Sequence, residues 1–233
     1  MAELAGVLVG NYFLLERLAR EGMVETYRAR PTTRGGYDVI LRLFRPDFPD
    51  PTSFREHFAT EVEKVWHCHH EYIQPLLEFG TGDELLYCAT VIPEAETLEE
   101  YLRRWQEHYV PVSLVLRWIT QLCSALQYAH EHDIVHGNIQ PTSILLRNEG
   151  DVLLTHFAMK RAYQEGEQLV AHIEEGNAAY IAPEQVLGMI SPACDIYALG
   201  VLLYRLLGGV LPYDEESPQE IALMHTNEPI PSL

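Results

Sequence analysis

The sequence predicts an α+β fold in two parts: a small β-rich amino-terminal part with one helix, and a larger, mainly helical carboxy-terminal part. Two observations indicate this division. Short apolar runs bounded by turn residues follow one another through the first 92 residues, with one helical stripe among them. From residue 93 onward, longer segments with apolar side chains every three or four positions dominate. The change from strand-like to helix-like patterns lies near residue 92.

The charge balance restricts the possible partners. The chain has 16 Lys and Arg against 34 Asp and Glu, a net charge of -18. Such a surface repels phosphate backbones and anionic lipid, so we expect neither nucleic-acid binding nor membrane contact within this segment. A protein partner is easier to accommodate. With 47% hydrophobic residues, the 233-residue chain has enough apolar material to bury a core.

Cysteine usage and the amino terminus predict a cytoplasmic location. The four cysteines have neither zinc spacing nor a dense disulfide pattern; they are Cys68, Cys88, Cys123 and Cys194. The amino terminus lacks the basic start of a signal peptide. The longest apolar run, Ile196 to Tyr204, is too short to span a bilayer.

The sequence predicts a hairpin, a strand, a helix and two further strands, in that order, in the amino-terminal part. The hairpin covers 12–30 with Gly22 in its turn, and the next strand is Tyr37 to Phe44. The helix runs from Asp50 to about His67, with a buried stripe formed by Phe54, Phe58, Val62 and Val65. Two strands at 72–80 and 84–92 follow, joined by a turn.

Helices account for most of the carboxy-terminal part. A short helix runs from Leu98 to about Trp105, and a longer one begins at Ser113. Asp195 to Leu207 is apolar on nearly every side, as in a helix buried at the centre of a domain. A last helix is expected from Ser217 to His225.

One histidine-rich run suggests a metal site but lacks the spacing for it. His67, Cys68, His69 and His70 are consecutive, whereas helical ligands need i, i+4 spacing to point at one ion. We predict packing or surface roles for them and no metal site.

The stretch from Ile134 to Leu146, IVHGNIQPTSILL, resembles the catalytic loop of eukaryotic-like (bacterial-type) Ser/Thr protein kinases, I-V-H-R-D-I-K-P-x-N-I-L. The apolar frame is kept while the chemically active positions differ. In the place of the family's arginine, catalytic aspartate, lysine and magnesium-binding asparagine stand Gly137, Asn138, Gln140 and Ser143.

Further motifs of that family occur in order, also altered. The glycine positions of G-x-G-x-x-G become Ala19, Glu21 and Val24, which favours an ordinary hairpin over a phosphate-binding loop. Arg42 stands at the lysine of V-A-I-K. The resemblance implies that Arg42 pairs with Glu61 of the following helix, the alternative being a solvated Glu61. It also places Ala89 near the gatekeeper position, where a small side chain would open a back pocket.

The family's D-F-G becomes His156, Phe157 and Ala158, so the carboxylate that binds magnesium is absent. The following segment ends in GNAAYIAPE, similar to G-T-x-x-Y-x-A-P-E, and has no Ser or Thr between Phe157 and Glu184. Gly137 removes the arginine that would receive a phosphate there. Asp195 matches the family residue that braces the catalytic loop; it is also expected to act as a simple helix cap, and the two roles are compatible.

The resemblance implies a two-lobed protein kinase-like fold. Residues 1–92 are then the small lobe and residues 93–233 the larger one, and both form one domain whose larger lobe is truncated. It implies a pseudokinase: a protein-binding, scaffolding or regulatory signalling module without cofactor, whose partner is a kinase or another signalling protein. One alternative is a weak or unconventional Ser/Thr phosphotransferase that uses ATP and magnesium with Arg42 and Glu61. Another is a metal-free ligand sensor with a pocket beside Ala89.

Overall fold

A computed structural model describes residues 4–21, 24–44, 51–82, 85–104, 110–147, 150–157, 175–215 and 217–233. The chain forms two compact units. The first contains Met1–His69 and Pro75–Pro93, and the second contains His70–Gln74 and Glu94–Leu233. The short segment at 70–74 belongs to the second unit because Ile73 forms a bridge to Leu154, and the backbone N–H of Gln74 donates to the Leu154 carbonyl.

The first unit is built on an antiparallel sheet. Within the described residues it has the order β1-β2-β3-β4-β6-β5. Its strands are β1 Leu8–Val9, β2 Tyr12–Glu21, β3 Val24–Pro31, β4 Val39–Phe44, β5 Leu76–Gly82 and β6 Leu85–Val91. The predicted hairpin is confirmed, because β2 and β3 pair as far as Glu21 opposite Val24. The predicted strand at 72–80 starts later, since 70–74 packs in the other unit.

Side-chain alternation gives this sheet two faces with different roles. One face forms a core cluster that includes Tyr27, Leu41 and Ala89. The other face carries Ile40 and Arg42 of β4, because these pair with Thr90 and Cys88 of β6, respectively. We call it the Arg42 face.

One helix of the first unit, α1 (Pro51–Trp66), follows β4. Phe58 packs against Phe44 at the end of β4, with ring centroids 4.8 Å apart. Phe58, Val62 and Val65 are buried as the stripe predicts. Asp50 and the side chain of Phe54 lie outside the described residues. The helix therefore covers the end of the Arg42 face.

The second unit is mainly helical, with a small sheet of order β7-β8-β9. Its elements are β7 Ala95–Thr97, α2 Leu98–Arg104, α3 Val112–Glu131, a 3₁₀ turn Pro141–Ser143, β8 Ile144–Arg147, β9 Val152–Leu154, α4 Glu175–Ala178, α5 Pro183–Val186, α6 Pro192–Gly208 and α7 Pro218–Asn227. The apolar face of α3 packs against α6 and β9. This packing puts the loop between α3 and β8 in the core of the unit.

The central helix α6 begins three residues earlier than predicted, at Pro192 rather than Asp195. Proline is favourable at the start of a helix because its missing N–H would have no partner there. The earlier start puts Asp195 inside the first turn, where its side chain is fully buried. No helix in the described residues combines the length and apolar character needed to cross a membrane.

Candidate functional site

The Asp195 carboxylate holds the loop that follows α3. Its Oδ1 accepts from the backbone N–H of Gly137 at 2.6 Å, and its Oδ2 accepts from the backbone N–H of His136 at 2.9 Å. His130 Nε2, at the end of α3, lies 2.8 Å from Oδ2 and donates to it. Asp195 is 0% exposed. The bracing role implied by the resemblance is thus confirmed, and Asp195 lies in the first turn of α6 rather than at its cap position, Ser191.

His136 is a packing residue with a defined tautomer. Its Nδ1 accepts from the backbone N–H of Asn138 at 3.2 Å, so the ring proton lies on Nε2. Nε2 then donates to the carbonyl of Thr155 at 2.6 Å. The ring also packs edge-on against Phe157, with centroids 4.7 Å apart. His136 therefore ties the loop to the strand that leads to His156.

Gly137 has φ +70°, a left-handed backbone that disfavours any side chain. Its carbonyl accepts from Gln185 Nε2 at 2.9 Å, and Gln185 Oε1 accepts from the backbone N–H of Ala182 at 3.0 Å. Gln185 is buried. Sequence reasoning missed this residue, which links the loop to α5, because a glutamine next to a family motif gives no signal of its own.

Ser143 lies where the resemblance expects a metal-binding asparagine, and its hydroxyl is occupied inside the loop. Oγ donates to the carbonyl of Gln140 at 2.8 Å and accepts from the Gln140 backbone N–H at 3.1 Å. Its own carbonyl accepts from the Thr155 backbone N–H at 2.9 Å. Ser143 is 0% exposed, and Gln140 is also buried. The pair closes the 3₁₀ turn.

Two further positions that the resemblance links to catalysis are Asn138, in the loop, and His156, after β9. Within the described residues, the side-chain amide of Asn138 makes no hydrogen bond, although its backbone N–H binds His136. His156 follows Thr155 at φ +72°, an unusual backbone for a residue with a side chain. Directly before it, the Thr155 backbone N–H donates to the Ser143 carbonyl.

In the first unit, the positions that the resemblance assigns to the glycine loop lie in the β2–β3 hairpin, whose pairing shifts register between Arg17 and Ala19. Ala19 pairs with Thr26 and is exposed. Val24 pairs with both Glu21 and Phe44, at the start of β3. The side chain of Glu21 and the turn residues 22–23 lie outside the described part of the chain.

Arg42 lies in the middle of β4, between Thr26 of β3 and Cys88 of β6. Glu61 of α1 accepts from Lys64 Nζ at 2.7 Å on its own helix. The predicted pair between Arg42 and Glu61 stays a prediction. Burial raises the pKa of the Cys88 thiol to about 12, so this neighbour of Arg42 remains an uncharged thiol.

Ala89 does not lie on the Arg42 face. It pairs with Leu41 and is fully buried in the core cluster, so its small side chain opens no pocket beside Arg42. The residue of β6 on that face next to Ile40 is Thr90. Thr90 is buried, and its Oγ1 has no hydrogen-bond partner within the described residues. The prediction put the pocket-facing residue at Ala89, one residue away from Thr90, because in–out alternation is hard to detect in a buried, apolar strand.

The segment ending in GNAAYIAPE is held by one half-buried and one buried side chain, Arg205 and His225. Arg205 of α6 donates to the Tyr180 hydroxyl at 2.7 Å and pairs with Glu99 of α2 at 3.0 Å. Burial raises the pKa of Tyr180 to about 12. His225 of α7 donates from Nε2 to the carbonyl of Ala179 at 3.1 Å. The Ser- and Thr-free part of this segment lies mostly outside the described residues.

The histidine-rich run has ordinary surroundings. His67 and His69 are exposed, whereas Cys68 is buried. His70 Nε2 lies 3.1 Å from Ser124 Oγ. In the described part of the chain, no group of three or more His, Cys, Asp or Glu side chains is arranged to hold a metal ion.

Comparison with known proteins agrees with this architecture. The protein kinase domain family matches residues 46–231. The probable serine/threonine-protein kinase PknB of Lactococcus lactis is 27% identical over 100% of this chain and 37% of its own length. The serine/threonine-protein kinase PrkC of Bacillus subtilis is 30% identical over 96% of this chain and 34% of its own length. The chain thus spans about a third of these relatives.

A solved structure shows the same fold. The crystal structure of a mutant of the Mycobacterium tuberculosis PknI kinase domain matches with a TM-score of 0.73 and 25% identity. The match covers 92% of this chain and 80% of that one. The predicted α+β fold is therefore confirmed as the protein kinase fold. The chain belongs to the protein kinase domain family, and its relatives are Ser/Thr kinases of the bacterial type.

Proposed function

We propose that this domain is a pseudokinase that acts as a protein-binding, scaffolding or regulatory module and does not use Mg-ATP. The observation that carries the proposal is the Ser143 hydroxyl. It is buried and bonded to both backbone polar groups of Gln140. A side chain turned into its own loop is poorly placed to coordinate an ion.

His156, at the second position expected to bind magnesium, also supports the proposal that Mg-ATP is not used. Magnesium prefers oxygen ligands, above all carboxylates and phosphates. His156 offers nitrogen there and becomes a cation when it is protonated. The donor set of Ser143 and His156 does not fit magnesium, and we derive no reaction step through it.

The proton acceptor and the phosphate contacts are also altered. A carboxamide at Asn138 cannot accept the hydroxyl proton that a carboxylate would take. Ile40 places a branched side chain on the Arg42 face, where the V-A-I-K pattern has alanine. Phosphoryl transfer depends on positioned phosphates, metal and base together, so these changes remove most of what it needs.

By contrast, the residues that hold the fold are kept. Asp195, His136 and Arg205 all make buried or half-buried polar contacts that fix loops of the second unit. Keeping the residues that hold the fold, but not those suited to catalysis, is expected of a domain that binds a partner without catalysing a reaction. It supports a role in binding another protein, such as a kinase or another signalling protein.

Nucleotide-dependent melting tests the proposal. We expect the melting temperature to be the same with Mg-ATP as with ATP and EDTA, since no ion bridges the phosphates. Saturating Mg-ATP would otherwise stabilise the fold by about 2–3 kcal/mol at a hundred times its Kd. The variant Asn138→Asp/Ser143→Asn/His156→Asp restores oxygen ligands and serves as the positive control. A clear magnesium-dependent shift in the unmodified protein would contradict the proposal.

One observation favours a second candidate, metal-free binding of a small ligand. The Thr90 hydroxyl is buried without a hydrogen-bond partner in the described residues, on the same face as Ile40 and Arg42. A buried polar group without a partner is rare, and a ligand that supplies one is among its explanations. Adenine tested by calorimetry should then bind and lose affinity in Thr90→Val, with Thr226→Val as the control. Equal binding by both variants, or none by the unmodified protein, rejects this candidate.

A further inference from the structure

The loop between β3 and β4, residues 32–37, stands clear of the sheet of the first unit. Every residue in it is exposed, and the side chain of Tyr37 is 92% exposed. Gly35 has φ +85°, a backbone conformation that glycine adopts without strain. With three residues on each side of its apex, the loop reaches at most roughly 10 Å from the strand ends. It can therefore enter a cleft on another protein.

Polar contacts hold both ends of this loop. Arg30, before the loop, donates from Nε to Asp38 Oδ1 at 2.8 Å and from Nη2 to Asp38 Oδ2 at 3.2 Å. The hydrogen bond from Arg30 lowers the pKa of the Asp38 carboxyl, so the pair stays charged at neutral pH. The backbone N–H of Thr32 donates to the Asn11 carbonyl at 2.8 Å. A change of conformation in the middle of the loop therefore leaves β3 and β4 in place.

The loop contains a threonine, Thr33, whose hydroxyl is accessible. In the part of the chain that the structure describes, three Ser or Thr side chains are exposed, lie outside helices and strands, and have a hydroxyl without a hydrogen bond: Thr32, Thr33 and Ser232. The backbone of Thr32 is held by the bond described above, whereas the Thr33 carbonyl accepts from the Gly36 N–H at 3.4 Å, a weak bond. A kinase must place the acceptor hydroxyl beside its base and in line with the phosphate. A hydroxyl within a helix reaches that position only after local unfolding, whereas Thr33 needs little rearrangement.

The charge around Thr33 favours a phosphate, unlike that of the chain as a whole. Residues 28–38 contain three Arg and one Asp, whereas the net charge of the chain is -18. Arg34, next to Thr33, is exposed and makes no salt bridge within the described residues. Its guanidinium can therefore give a phosphate charge-assisted hydrogen bonds. Ser232 has no such support, because the sequence after Arg205 contains five acidic residues and neither Lys nor Arg.

We infer that Thr33 is a phosphorylation site for a partner Ser/Thr kinase. In the reaction, Thr33 Oγ1 forms a bond to the γ-phosphorus of ATP, the bond from that phosphorus to the bridging oxygen breaks, and ADP leaves. The catalytic base of the partner takes the hydroxyl proton. The product carries a group of charge about -2 beside Arg34. The inference rests on the proposed function in one respect, because a kinase is among the partners proposed there.

Incubation with two active Ser/Thr kinases tests the inference. The whole chain is mixed with labelled ATP, magnesium and either PrkC or PknB, and a third sample has no added kinase. Phosphopeptide mass spectrometry locates the phosphate, and the label measures its amount. We expect the phosphate on Thr33. The variant Thr33→Ala should lose nearly all of the label, whereas Thr32→Ala and Ser232→Ala, the two matched controls, should keep it.

Three results would overturn the inference. The first is phosphate on Thr32, Ser232 or a residue within a helix in place of Thr33. The second is equal label in Thr33→Ala and the unmodified chain, and the third is no phosphate on the chain with either kinase. Label in the sample without added kinase tests the pseudokinase proposal alone, because only the domain itself can then transfer phosphate. A failure of that proposal is therefore distinguishable from a failure of this one.

Discussion

At the scale of single residues, the loop after α3 depends on the Asp195 carboxylate, which accepts two backbone N–H bonds and one from His130. Replacing Asp195 with Asn keeps the volume but turns an amide N–H toward a backbone N–H. We expect the free energy of unfolding to fall by roughly 2–4 kcal/mol, since buried donors lose their partner. Urea denaturation followed by circular dichroism measures this change.

Asp214→Asn is the matched control for Asp195→Asn. Asp214 is exposed, and substitutions at such positions change stability by less than about 0.5 kcal/mol. If both variants unfold at the same urea concentration as the unmodified protein, the bracing role of Asp195 is wrong.

Replacing Gly137 and Gly200 with alanine should change the free energy of unfolding in opposite directions. Gly137 has φ +70°, so Gly137→Ala should destabilise the domain by about 1 kcal/mol or more. Gly200 lies exposed within α6, and a Cβ there would meet nothing within 4 Å. Gly200→Ala should therefore stabilise by up to about 1 kcal/mol through helix propensity. Urea midpoints of the two variants should move apart, and a shift in the same direction would contradict the assigned backbone conformations.

At the scale of elements, α7 docks on the end of the GNAAYIAPE segment through His225. The His225 ring packs between Tyr197 and Tyr213, and its Nδ1 accepts from the Tyr197 hydroxyl at 2.8 Å. Burial lowers the pKa of His225 from 6.5 to about 4. The folded state thus binds this proton less readily than the unfolded state does. The stabilisation from neutral His225 is complete above pH 6.5 and is lost as the pH falls through about 4.

His225→Gln tests that pH dependence. Glutamine keeps a donor and an acceptor but does not titrate, so the difference in melting temperature between variant and unmodified protein should change between pH 7 and pH 4.5. The unmodified protein should lose more on acidification. Parallel curves over this range would show that His225 is not a buried neutral imidazole.

Most helices and strands could be predicted from the sequence, because the spacing of apolar residues indicates which side chains are buried. The helix expected at 50–67 is α1 at Pro51–Trp66, and the one expected from Ser217 is α7 at Pro218–Asn227. Four features were not predicted. The strand expected at 72–80 begins at Leu76, and α6 begins earlier, at a proline. The pocket-facing position was given to Ala89 rather than Thr90, and Gln185 was missed. The last two depend on which way a side chain points in a tertiary contact, which one sequence does not reveal.

At the scale of the whole molecule, the proposed pseudokinase function divides the motif positions into two sets. Positions that pack or brace are retained, as with His136 and Asp195, whose contacts were foreseeable from their place in the motifs. On that proposal, the positions expected to serve metal, base or phosphate carry other residues, as with Asn138, Ser143 and His156. The chain spans about a third of the length of PknB and PrkC, so the activities of those proteins come to this chain only as proposals.

The most direct test of the central claim is transfer of labelled phosphate from ATP, measured on the domain itself and on a generic acceptor protein, with magnesium and with manganese. The account predicts incorporation no greater than in the sample without the domain. Incorporation above that background that disappears in Arg42→Ala would contradict it, because it would show a phosphotransferase that uses the altered site.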